Sequence, residues 1–213
     1  MVTGDTKDVE SGAAKNLFIN TSGIGLLEEG IRLGPERIQV GDAVLLNGFL
    51  AEHGITIMSQ RGEYDFHTTL QSDVAPLSHM VESVLAVSPN VRFMRDLTRG
   101  GLAAALNEMA TSAGQAVEIN ERSIPIRDDV LAACETLGLD PLHVANEGKC
   151  MIVCAEEDCE EILNAMRRHA CGRESVRIGR VIEYPKPLVL MRTALGGTRM
   201  VDMPSGRLLP RIC

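Results

Sequence analysis

Tryptophan is absent from the 213-residue chain, and with two tyrosines and four phenylalanines the aromatics reach only 3%. That scarcity argues against base-stacking platforms and aromatic sugar clefts. Positive charge is also short. The formal net charge is −8 and the isoelectric point lies near 5.2, which speaks against a nucleic-acid binder that works by neutralising phosphates. Lysine is confined to Lys7, Lys15, Lys149 and Lys186, with arginine supplying the rest. No run approaches the roughly 18–20 apolar residues of a membrane helix, and Met1–Lys7 lacks the apolar core of a signal peptide. Six cysteines occur, none in a Cys-x-x-Cys pair. His53, His67, His79, His143 and His169 form no close ligand pair, so a cysteine-based metal site is not expected. Free thiols in a reducing compartment are expected, and with them a cytoplasmic location.

Hydrophobic residues make up 45% and charged residues 23% of the chain, enough for a packed core. After Gly41-Asp42, Ala43–Gly48 is an apolar run bounded by turn residues and reads as a buried strand. Val91–Met94, Ala116–Asn120, Cys150–Ala155, Val176–Ile182 and Leu188–Arg192 also read as strands, and Leu17–Asn20 as a short one. Asp73-Val74-Ala75-Pro76 has the marks of a helix start. Leu77, Met80, Val81, Val84 and Leu85 then share one helical face. Leu102–Ser112 reads as a helix stopped by Gly114, and Asp128–Leu137 as another. Glu156–His169 runs from acids to bases, the order a helix dipole favours. Leu195–Thr198 reads as a hairpin turn.

Strands and helices therefore alternate without repeats, and the expected class is α+β, an α/β sandwich. Three parts are expected: residues 1–40 as the end of a preceding domain, 41–192 as the main α+β domain, and 193–213 as a hairpin and mobile tail ending in Cys213. The opening residues read as the continuation of something cut short.

Four places carry groups capable of chemistry. Asp5-Thr6-Lys7 joins a carboxylate, a hydroxyl and an ammonium, a set able to hold Mg²⁺ and a phosphate or to form a plain solvated turn. In Asp96-Leu97-Thr98-Arg99-Gly100-Gly101, glycines at a helix start allow close approach of an anion to free N–H groups. Equally, Asp96 or Thr98 caps the helix and the glycines serve packing. Asn146-Glu147-Gly148 places a carboxylate in a loop before a strand, as a general base, a metal ligand or a surface turn. Cys213 ends a tail whose roughly ten residues span about 3.3–3.6 Å each when extended. That is where a carrier thiol would sit, and also where an incidental cysteine would go unnoticed.

Thr3-Gly4-Asp5-Thr6-Lys7, Arg95-Asp96-Leu97-Thr98-Arg99-Gly100-Gly101, Asn146-Glu147-Gly148 and Pro210-Arg211-Ile212-Cys213 occur in that order. Together they resemble the aminoimidazole ribonucleotide synthetase-like ATP-binding superfamily. They resemble most closely its hydrogenase-maturation branch, the HypE carbamoyl dehydratases. The first three motifs recur across the superfamily, including selenophosphate synthetase and thiamine-phosphate kinase. The terminal Pro-Arg-Ile-Cys is specific to the HypE branch, and the resemblance covers essentially the whole chain.

The resemblance implies a fold like the C-terminal domain of aminoimidazole ribonucleotide synthetase, preceded by a remnant of the N-terminal domain. It implies an ATP-dependent dehydration of an S-carbamoyl group on Cys213 to thiocyanate, as a source of the iron cyanide ligands of nickel–iron hydrogenase. Lys7 and Glu147 match the proton-removing positions, and Asp5 the nucleotide–magnesium position. Thr6, Arg99, Gly100, Gly101 and Asn146 fall in the motifs that bind the nucleotide. ATP and Mg²⁺ are the implied cofactors. The implied partners are a carbamoyltransferase (HypF), a cyanide-accepting scaffold (HypC–HypD) and a second copy of the chain, with neither nucleic acid nor membrane. Two other readings stand beside it. One is a selenophosphate synthetase-like enzyme, although that branch places its reactive residue near the N-terminus. The other is a non-catalytic dimerisation and docking module that presents Cys213.

Overall fold

The computed structural model describes residues 24–26, 29–61 and 68–204. The expected strand at Leu17–Asn20 and the tail beyond Pro204 lie outside these. The body that begins at Ile31 is built on one seven-stranded sheet. Its strands are β1 (Ala43–Leu46), β2 (Val91–Asp96), β3 (Ala116–Asn120), β4 (Cys150–Cys154), β5 (Val176–Ile182), β6 (Val189–Arg192) and β7 (Thr198–Met200). They lie in the order β2-β4-β1-β5-β3-β6-β7. Every neighbouring pair is antiparallel except β3 with β6. The helices are α1 (Glu52–Arg61), α2 (Ser78–Val87), α3 (Gly101–Ala113), α4 (Asp128–Leu137) and α5 (Cys159–Arg167).

Burial explains the unbroken apolar run of β1. Both faces of the sheet are covered there, so alternation with polar residues would bury unpaired groups. Val44 and Leu46 join a core with Ile55 and Met58 of α1, Leu102, Leu106 and Met109 of α3, and Val130 of α4. Ala43 and Leu45 face the opposite way, with Met80 and Val84 of α2 and Ile162, Leu163 and Met166 of α5. Further along, β3 alternates from Val117 onward: Val117 and Ile119 enter the first core, while the intervening Glu118 takes Arg180 and Arg192 on its other face.

Several boundaries differ from expectation. The first helix of the second layer begins at Ser78, five residues after Asp73. The residue before a proline disfavours helical torsions, and the Asp73 carboxylate is engaged elsewhere. Neither Asp96 nor Thr98 caps α3. Gly100 does, in a left-handed conformation (φ 70°), and Gly114 closes the helix with its N–H shared between the Ala110 and Thr111 carbonyls. The segment before β1 is tied to the sheet by Gly34 N–H to Arg92 O and Gly41 N–H to Val181 O. The hairpin strand β7 likewise extends the main sheet through β6. No helix among the described residues is long and apolar enough to cross a membrane.

Candidate active site

Two of the four motifs are brought together at the end of β2, where the chain enters α3. The Asn146 N–H and its side-chain amide both donate to the Leu97 carbonyl, at 3.2 Å each. Leu97 N–H in turn reaches Lys149 O. The 96–101 turn and the 146–149 loop therefore form one unit beside the N-terminus of α3.

The glycines at that turn have different jobs. Gly100 supplies the left-handed torsion that starts α3. Gly101 also has positive φ (61°), and a Cβ there would meet the carbonyl oxygens of Leu142 and Val144 at 2.5 Å. Its hydrogen is needed for α3 to pack against the 141–145 segment. Arg99, immediately before them, is exposed.

Asn146 is 1% exposed. Its Oδ1 accepts from Ala51 N–H at 2.8 Å, and its Nδ2 donates to Leu97 O and to Val144 O at 3.0 Å. With both amide hydrogens engaged by backbone, this side chain shapes the loop that carries Glu147. Ala51 has φ 69°, a torsion that is costly outside glycine, and its bond to Asn146 helps hold it there. Gly148 has no room for a side chain, because the Asp73 carbonyl occupies the space a Cβ would need.

Residues without any motif signal complete the unit. Asn47, directly after β1, donates to Gly148 O at 3.0 Å and Cys171 O at 2.9 Å, and accepts from Cys150 N–H at 2.8 Å. Asp73 accepts the Glu147 N–H at 2.9 Å. Lys149 Nζ stands 3.5 Å from both Glu52 and Asp73, and Glu52 also takes Arg127 at 2.6 Å. Arg127 lies over the Phe49 ring, 4.5 Å from its centroid, and its hydrogen bond to Glu52 raises its already high pKa. Glu147 itself is half-buried.

Asp5, Thr6, Lys7 and Cys213 lie outside the described residues. Among the described residues no group of three His, Cys, Asp or Glu side chains forms a metal cage. Burial pushes the Cys150 thiol beside the site up to about 12, as it does Cys154 at the other end of β4, and Cys134 up to about 11. The neutral thiol is therefore their form at physiological pH.

The sequence matches the family model of AIR synthase related proteins, C-terminal domain, over residues 39–189. It is 50% identical over all 213 residues to the carbamoyl dehydratase HypE of Cupriavidus necator, of which it covers 61%. The solved HypE in complex with ATP matches with a TM-score of 0.79 at 39% identity, over 84% of this chain and 55% of that one. A HypE–HypF complex matches with the same score at 37% identity, over 84% and 58%. The chain thus spans about three fifths of the length of its curated relatives. With more than half its residues inside the family model and the mixed sheet to match, the chain belongs to the AIR synthase related proteins and carries their C-terminal domain.

Proposed function

We propose that the intact protein is an ATP-dependent carbamoyl dehydratase of hydrogenase maturation acting on its own Cys213. The observation that carries this reading is the joining of the loop that bears Glu147 to the turn that bears Arg99–Gly101, through the bonds of Asn146 and Lys149 to Leu97, in a chain similar throughout to a protein named carbamoyl dehydratase. A HypE solved in complex with ATP supports a nucleotide as the cofactor.

The chemistry is balanced. Cys213 carries S–C(=O)–NH₂, whose oxygen is a poor leaving group. The γ-phosphoryl of ATP passes to that oxygen, both N–H protons are removed, and inorganic phosphate departs with the oxygen. The products are S–C≡N, ADP and phosphate. Glu147 and Lys7 take the two protons; Lys7 must be neutral to accept one, which calls for a lowered pKa. Gly100 and Arg99, at the positive end of the α3 dipole, receive phosphate charge, and Asn146 holds the loop in register.

Asp5, a hard oxygen donor of the kind magnesium takes, would hold Mg²⁺ together with the nucleotide. The ion would supply charge neutralisation on the phosphates. HypF would install the carbamoyl group, in keeping with the HypE–HypF complex, and HypC–HypD would accept the cyano group. A homodimer in the cytoplasm completes the reading.

The test follows the mass of the Cys213 peptide in the intact protein supplied with ATP and the carbamoyl donor system. The carbamoyl adduct is expected to become cyano only with ATP. Glu147→Gln and Lys7→Ala should stall at the carbamoyl form, slowed on the order of 100-fold, as for loss of a general base. Equal turnover by wild type and Cys213→Ala would overturn the proposal. If 213 residues alone give no heat with ATP and Mg²⁺, this segment serves docking, and the nucleotide site needs the rest of the protein.

A further inference from the structure

Asp73 grips three consecutive residues of the loop that carries Glu147. Its side chain is fully inaccessible to solvent. Oδ1 accepts the Glu147 N–H at 2.9 Å. Oδ2 makes no hydrogen bond among the described residues and faces Lys149 Nζ at 3.5 Å. The Asp73 backbone carbonyl lies against Gly148 where any side chain would stand. A buried carboxylate is costly unless paired and hydrogen-bonded, and here both needs are met by the residues on either side of Gly148. The same engagement keeps Asp73 from opening α2, which starts five residues later.

We infer that Asp73 is the positioning residue for Glu147, clamping the 147–149 backbone so that the Glu147 carboxylate is aimed at the reacting group. This rests on the proposed role of Glu147 as a base. A general base works within a narrow window of distance and angle, and a misplacement of about 1 Å costs on the order of 100-fold in rate. Asn146 fixes the entry to the loop and Asn47 its exit at Gly148 and Cys150; the Glu147 N–H between them is held by Asp73. Asp73 never touches the substrate in this scheme; it acts through the backbone of its neighbour.

The experiment is a double-mutant cycle in the intact protein, following carbamoyl-to-cyano conversion at Cys213 and ATP affinity. Asp73→Ala should slow conversion roughly 100-fold, and Asp73→Asn, which keeps one acceptor oxygen, roughly 10-fold. ATP affinity should stay within about twofold in both, because the clamp serves the base and not the nucleotide. In the Glu147→Gln background both Asp73 substitutions should lose their effect, since residues acting as one unit are non-additive.

Wild-type rates in the Asp73 variants would overturn the inference. So would an additive loss, which marks a general structural role. If Asp73→Ala does not fold, the Asp73→Asn cycle decides alone. Should Glu147→Gln itself convert at the wild-type rate, the base assignment fails. A slow Glu147→Gln beside fast Asp73 variants removes only the clamp.

Discussion

The two segments that meet at the candidate site are held in contrasting ways. The 96–101 turn takes part of its shape from its own residues, since the Asp96 carboxylate accepts Thr98 N–H at 3.3 Å and Gly100 turns left-handed to start α3, and meets the other loop through Leu97. The 146–149 loop is made almost wholly by residues far away in sequence. Ala51 lies 95 positions off, Asn47 101 and Asp73 74. A turn shaped by its own torsions fails first at its glycines. A loop shaped by distant amides and a buried acid fails wherever one of those partners is lost. The part of the site that must aim a side chain is the part the whole fold constructs.

The sharpest way to break this contrast is at Asn146. Replacing it with Asp substitutes lone pairs for the two N–H donors that face the Leu97 and Val144 carbonyls, and does so at a position 1% exposed. Unmaking buried hydrogen bonds while burying an unpaired charge costs on the order of 4 kcal/mol. Urea unfolding of the intact protein should show a loss of that size. A loss under about 1 kcal/mol would mean the loop does not depend on its distant partners.

That dependence also accounts for what could be read beforehand. Strands β1 and β3–β6, helices α3 and α4 and the Gly114 stop follow from local patterning, because each is decided by burial period and turn chemistry. Glu147 and the Arg99–Gly101 turn were visible as motifs. Asn47, Glu52, Asp73 and Lys149 as one network were not, since a single asparagine or aspartate looks the same whether it caps a helix or clasps a loop 74 residues on. Asp73 was the costliest ambiguity. Followed by Pro76, it carried every mark of a helix start, and tertiary pairing claimed its carboxylate instead.

A smaller effect separates torsion from packing at the glycines. Gly114 and Gly101 have nearly equal φ, 66° and 61°, yet a Cβ on Gly114 meets nothing within 4 Å whereas one on Gly101 meets the Leu142 and Val144 carbonyls. Gly114→Ala should cost about 1 kcal/mol, the torsional penalty alone. Gly101→Ala should cost about 3 kcal/mol, because overpacking adds to it. Thermal unfolding of the two variants reads the difference directly. Equal losses would mean that α3 gives way and the wall behind Gly101 is soft.

The smallest effect is electrostatic and lies across the sheet's other layer, where Asp158 accepts from Ser88 Oγ at 2.5 Å and from Asn90 Nδ2 at 3.0 Å. These bonds, Ser88 first, hold its carboxyl below the ordinary value of 3.8. A depressed native pKa gives stability that is complete above the unfolded value and is lost as pH falls through the folded one. Asp42 has the opposite sign: burial raises its pKa, so the native state gains as that group is protonated. Ser88→Ala isolates the first term, because it leaves Asp42 alone. It also removes the Asn90 N–H to Ser88 bond at every pH. The stability gap between wild type and Ser88→Ala should therefore be wider at pH 6 than at pH 3 while staying above zero at both. A gap that does not change with pH would show that Ser88 serves only the Asn90 turn and leaves the Asp158 charge to solvent.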